Sequence, residues 1–86
     1  MKDNYKNYIG RYYRVLSTEP GETEIICLPA PNSEHLKTAI PVNSVVKIVS
    51  HDYLFDANWF VVELGFDKFL VTKTIVDKYF FGIKLK

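Results

Sequence analysis

Along most of this chain apolar residues recur at every second position and only briefly at helical spacing. Ser44–Ser50 reads Ser-Val-Val-Lys-Ile-Val-Ser, and Trp59–Leu64 is a run of aromatic and β-branched side chains before its closing Glu-Leu. Runs of this length and type fit a pleated, half-buried surface and are too short for a stable helix. The pattern predicts a mainly β protein: a small barrel of five to six short antiparallel strands with one short helix near the C-terminus.

Punctuation between the runs sets the rest. Arg11–Leu16 is the first predicted strand and Glu22–Leu28 the second, joined by Thr18-Glu19-Pro20-Gly21. Pro presets φ at the second position of that turn, and Gly tolerates positive φ at the third. Pro29-Ala30-Pro31-Asn32-Ser33 reads as a loop, and Lys37–Val42 as an edge strand on which Pro41 is tolerable. His51–Asn58 also reads as a loop. Trp59–Leu64 and Lys68–Thr72 form a hairpin across Gly65-Phe66-Asp67. Thr72 or Thr74 caps a helix carrying Ile75, Val76, Tyr79 and Phe80, Gly82 terminates it, and Ile83–Lys86 closes the sheet. The expected organisation is a single domain over 1–86: an N-terminal segment 1–10, then a β-barrel over 11–86 with a hairpin inserted at 22–42. Tyr5, Tyr8 and Ile9 share one face if the N-terminal segment is helical.

Composition removes whole classes of function. With 48% apolar residues and 11 bases against 10 acids, the chain is neither disordered nor a general polycation. Its longest apolar runs, Ile25–Leu28 and Trp59–Val62, fall far short of the ~20 residues of a membrane span. The N-terminal residues lack an apolar secretory core, so a cytoplasmic location and no membrane are expected. Cys27, the one cysteine, sits in Ile-Ile-Cys-Leu with no neighbouring cation, the setting of a buried, unreactive thiol. Enrichment in Lys, Asn, Tyr and Ile is typical of AT-rich genomes, as in low-GC bacteria and their phages and plasmids.

From Ser44 onward the order of features resembles an SH3-like barrel. The strand Val45–Val49 leads to Trp59-Phe60, where that fold commonly opens its third strand with an aromatic pair. Gly65 lies in the following turn, Phe69-Leu70-Val71 runs into the helical turn Thr-Lys-Thr-Ile-Val, and Tyr12–Leu16 stands as the first strand. Ile83–Leu85 stands as the last. The resemblance covers residues 11–16 and 44–86. Members that bind proline-rich peptides carry Pro and Tyr at the helical turn, where this chain has Thr72 and Ile75. The resemblance thus implies the barrel without polyproline recognition, and its fold hosts many functions.

Catalytic sets are missing from the sequence. His35 and His51 fall in predicted loops without a recognisable nucleophile or orienting partner, and the four glycines form no phosphate-cradling loop. A divalent-metal reading survives only if His51, Asp52 and Asp56 converge with His35. The expectation is a non-enzyme without cofactor or metal.

The informative segment is His51–Trp59, which places three aromatics and a leucine in a surface connection. Either Leu54 or Phe55 plugs one end of the barrel, or Tyr53, Phe55 and Trp59 form a binding face of interface-type residues. A second cluster joins Tyr12 and Arg14 on one face of the first strand, with Tyr13 and Val15 on the other. Charge is segregated as well. Glu19, Glu22, Glu24 and Glu34 form a block without a base, while Lys68, Lys73, Lys78, Lys84 and Lys86 face Asp77 alone.

The leading expectation is a protein-interaction module, of the kind a phage or plasmid uses as an accessory or inhibitor of a host protein. It would bind through Tyr53, Phe55, Trp59, Tyr12 and Arg14. The alternative is a nucleic-acid-binding barrel using Arg11, Arg14, Tyr12 and the C-terminal lysines. Head-to-tail self-association of the acidic hairpin with the basic end is a further option.

Overall fold

The computed structural model describes residues 5–31, 33 and 35–83. A 3-10 turn at Tyr5–Asn7 precedes eight strands and one helix. In chain order these are β1 (Tyr12–Val15), β2 (Glu24–Ile26), β3 (Leu28–Pro29), β4 (Ala39–Pro41), β5 (Val45–Leu54), β6 (Ala57–Leu64), β7 (Asp67–Val71), α1 (Lys73–Tyr79) and β8 (Phe80–Gly82). The protein is mainly β, with one short helix near the C-terminus.

Six strands form one sheet in the order β3-β7-β6-β5-β1-β8, and β2 and β4 form a two-stranded ribbon. Every pairing is antiparallel. The main sheet joins the first strand to the β5–β6–β7 meander on one side and to the last described strand, β8, on the other. Hydrogen bonding does not close the ring: among the described residues β8 pairs only with β1, and β3 only with β7.

Alternation explains the strands. On β1, Tyr13 and Val15 are buried while Tyr12 and Arg14 face out. Val46, Ile48, Phe60, Val62, Phe69 and Val71 carry the same inward phase across three strands and fill the main core with Ile25, Ile40, Val76 and Phe80. Fully burying side chains of this size stabilises by ~1.5–3 kcal/mol each. Val61, Leu70 and Ala30 form a smaller cluster, with Val49, Leu54 and Trp59 packed on it.

The inserted hairpin is the β2–β4 ribbon, with Ile25 opposite Ile40. The predicted strand Glu22–Leu28 is split at Cys27, where the chain leaves the ribbon and joins the main sheet, Leu28 opposite Leu70. Pro29, expected in a loop, is tolerated because β3 is an edge strand. The Pro20-Gly21 turn forms as expected, with Gly21 at φ +84° and the Glu22 N–H bonded to the Glu19 carbonyl at 3.4 Å.

Thr72 caps the helix, its Oγ1 accepting from the Ile75 N–H at 3.3 Å. Gly82 does not terminate it. The helix ends at Tyr79, because Phe80 turns extended and buries its ring while pairing with Val15. The last described strand is Phe80–Gly82, with the Ile83 N–H bonded to the Tyr12 carbonyl at 3.0 Å; the rest of the predicted strand, residues 84–86, lies outside the described residues.

Candidate partner-binding hairpin

His51–Asn58, expected as a loop, is the upper part of a hairpin. β5 runs unbroken from Val45 to Leu54, and pairs His51 with Phe60, Asp52 with Trp59, Tyr53 with Asn58 and Leu54 with Ala57. β1 stays beside β5 only to Lys47, and β7 stays beside β6 only from Phe60 onward. Residues 50–59 therefore extend past both neighbouring strands.

Two residues make the turn, Phe55 at φ +53° and Asp56 at φ +59°. Positive φ at both central positions matches the right-handed twist of a hairpin and is ordinarily supplied by Asn-Gly or Asp-Gly. A bulky phenylalanine in the left-handed region costs ~1–3 kcal/mol. The turn was invisible to a sequence reading because Phe-Asp is not a turn dipeptide.

The register splits the expected aromatic face. Tyr53 lies opposite Asn58, while Trp59 lies opposite Asp52, so the two side chains stand on opposite faces. Trp59 is half-buried against the Val61–Leu70–Ala30 cluster, and its indole N–H donates to the Leu54 carbonyl at 2.9 Å. Leu54 packs on the same cluster; Phe55 plugs nothing. Tyr53 is 64% exposed and Phe55 76%. The tip thus presents two free aromatic side chains.

On the face shared by His51 and Tyr53, a groove of about 440 Å³ is lined by Tyr5, Lys6, Ile9, Val49, Ser50 and His51. Tyr5 stacks on His51, whose Nε2 lies 3.0 Å from Asn58 Oδ1. Tyr8 reaches further, donating its hydroxyl to Asp77 at 3.0 Å. Tyr5, Lys6 and Ile9 thus form one wall of the groove, and the shared-face spacing of Tyr5 and Ile9 was the sequence signal for it.

Tyr12 and Arg14 lie elsewhere, on the outer face of β1. Lys47 sits over the Tyr12 ring at 5.6 Å, and Arg14 Nη1 donates to the Asn43 carbonyl at 2.9 Å. Arg14 is opposite the half-exposed Phe81 of β8. Arg11 is exposed at the start of the same strand. Of the C-terminal lysines, Lys73 pairs with Asp77 at 2.7 Å and Lys78 approaches Glu19 at 3.8 Å. Lys68 lies opposite Glu63, and Lys84 and Lys86 lie outside the described residues.

The acidic and basic blocks, for which pairing between copies was one further option, touch within one chain. Besides Lys78 and Glu19, the Tyr79 hydroxyl donates to Glu22 Oε2 at 2.7 Å. That bond, with a backbone N–H from Thr18, holds the Glu22 carboxyl below its ordinary range.

His35 and His51 do not converge. His35 Nδ1 lies 2.8 Å from Asp67 Oδ1, and Lys37 approaches Oδ2 at 3.2 Å. The His35 hydrogen bond leads in lowering the Asp67 pKa, and Lys37 adds to it. This clamp ties the β3–β4 connection to the start of β7. No group of three or more His, Cys, Asp or Glu is placed to hold a metal ion among the described residues. The Cys27 thiol is buried, and desolvation pushes its pKa up to about 12. No helix among the described residues is long and apolar enough to cross a membrane. No protein-family model matches the chain, and neither the curated proteins nor the solved structures compared with it include a match.

Proposed function

We propose that the chain is a non-catalytic protein-interaction module whose partner-binding element is the tip of the β5–β6 hairpin. The observation that carries this is Phe55: a bulky apolar side chain, three-quarters exposed, held in a left-handed turn where asparagine or glycine would cost less. Exposed apolar area combined with local backbone strain is typical of a binding site and contributes nothing to the fold. Tyr53 stands beside it, and Tyr and Phe are enriched at interface anchors.

Trp59 supports the tip from behind and is not assigned contact with the partner. The composition favours a low-GC bacterium, its phages or its plasmids as the source, and an accessory or inhibitory role in the cytoplasm fits a small module of this kind.

A photo-reactive benzoylphenylalanine at position 55, irradiated in the source cell, should crosslink one protein. Tyr53→Ala and Phe55→Ala should each weaken binding of that purified protein by about tenfold or more, as interface anchors do. Unaltered affinity in both variants, with their folds intact, would overturn the assignment.

A second reading draws on Tyr12 and Phe81, exposed on adjacent strands beside Arg14. Basic and aromatic groups on one sheet face suit single-stranded nucleic acid. Tight binding of oligonucleotides that weakens steeply with salt would support it.

A further inference from the structure

The backbone of β5 carries its own binding information. Ile48 donates to the Arg11 carbonyl at 3.1 Å and accepts from the Gly10 N–H at 2.7 Å, so its polar groups face the β1 side. At the far end, Leu54 and Ala57 flank a two-residue turn, and residues in that position exchange both their hydrogen bonds with each other. Leu54 therefore bonds toward β6. Alternation then turns Tyr53 outward, Asp52 inward and His51 outward; a bulge between Ile48 and Ser50 absorbs the change of phase. Alternation therefore points the N–H and C=O groups of His51 and Tyr53 away from β6, on the side where no strand pairs with β5 beyond Lys47 among the described residues.

Unpaired groups of this kind are a template for another strand. We propose that the partner contributes an extended peptide segment that pairs with the outer edge of β5 at His51–Tyr53, with the side-chain pattern apolar, basic, apolar. The inference rests on the hairpin as the binding element and names the class of ligand it takes.

The flanking side chains set that pattern. On one face lie Tyr53 and the Tyr5–His51 stack, which suit apolar neighbours, and Lys6 in the same groove disfavours a base there. On the other face Asp52 is exposed and has no ion-pair partner among the described residues. A lysine or arginine opposite Asp52 supplies one. The same residue argues against a second copy as occupant. Two-fold pairing that used all four groups would set Asp52 of one copy directly opposite Asp52 of the other, and like charges in that position destabilise.

The probe is the peptide acetyl-Thr-Val-Lys-Val-Thr-amide, titrated into the isotope-labelled full chain to about 1 mM, the range of weak affinities. Amide shifts should appear at Val49–Leu54 and Tyr5–Ile9. N-methylation of the peptide amides that face β5 should weaken binding about tenfold, while N-methylation of the alternate amides should not. Asp52→Lys should lose the lysine peptide and take its glutamate counterpart. The inference is overturned by shifts confined elsewhere, by no shifts, by equal effects of both N-methylated peptides, or by sedimentation showing a dimer formed through this edge. Those results leave the Tyr53 and Phe55 substitutions to decide separately whether the tip binds a partner through side chains alone.

Discussion

Tyr5 lies flat on the imidazole of His51, ring centroids 4.0 Å apart and planes inclined by 14°. The same ring meets Phe60 edge-on at 5.3 Å, so one N-terminal side chain ties the base of the protruding hairpin to the core. Aromatic pairs contribute ~0.5–1.5 kcal/mol each beyond their buried area. Tyr5→Ala should therefore lower stability by ~1–2 kcal/mol in chemical denaturation. Hydrogen exchange should quicken more at the Asp52 and Leu54 amides, which bond toward β6, than at Val45–Ile48, where β1 holds the strand.

The Phe55-Asp56 turn should be improvable at the expense of binding. Replacing it by Asn-Gly removes the left-handed penalty, for a gain of ~1–2 kcal/mol. In a domain of this size that raises the melting temperature by ~4–8 °C per kcal/mol. The same variant should lose partner affinity, separating what stabilises the fold from what serves recognition.

Acid should loosen the β1–β2 and β3–β4 connections. Asp67 and Glu22 both have pKa values lowered in the folded protein, Asp67 first by the His35 hydrogen bond and Glu22 first by the Tyr79 hydroxyl. A carboxyl lowered by folding favours the native state above its unfolded pKa of ~4, and that contribution disappears as pH falls through the native value. Thermal unfolding followed from about pH 6 downward should show a midpoint that begins to fall near the unfolded value of ~4. The fall should be shallower in Asp67→Asn and Glu22→Gln, because neither variant has a carboxylate to protonate at that site.

Two phenylalanines should respond in opposite ways. Phe60 is fully buried, and Phe60→Ala should cost ~3–5 kcal/mol. That is a large share of the ~4–13 kcal/mol expected for 86 residues, so the variant should be substantially destabilised at room temperature. Phe66 is 84% exposed in the β6–β7 turn, and Phe66→Ser should change stability by no more than ~0.5 kcal/mol.

Alternation made β1, β6 and β7 legible because one physical signal dominated, and a threonine ahead of helical spacing narrowed the cap to Thr72 or Thr74, of which Thr72 is the one used. The hairpin was obscured by two features acting together. The bulge moves the side chains on the core face from the even-numbered Val46 and Ile48 to the odd-numbered His51 and, at the exposed tip, Tyr53, so the even-numbered pattern ends at Ile48 while the strand continues. The turn beyond it contains neither glycine nor asparagine. Residue type marked Trp59 for a surface role, but its depth depends on Ala30 and Leu70, which arrive from distant parts of the chain. Local spacing does not report such tertiary contacts. The end of the helix was misplaced for a related reason: Phe80 is drawn into pairing with Val15, and that contact overrides the glycine two residues later.

Between Ile48 and Ser50 the extra residue has a consequence for growth. A regular ladder through this point would present a flatter, continuous border, which one copy after another could extend into a fibre. A bulge increases local twist, so successive additions would diverge in direction. Val49 thus makes the exposed border of this protein terminal: it can accept one guest strand while discouraging a stack.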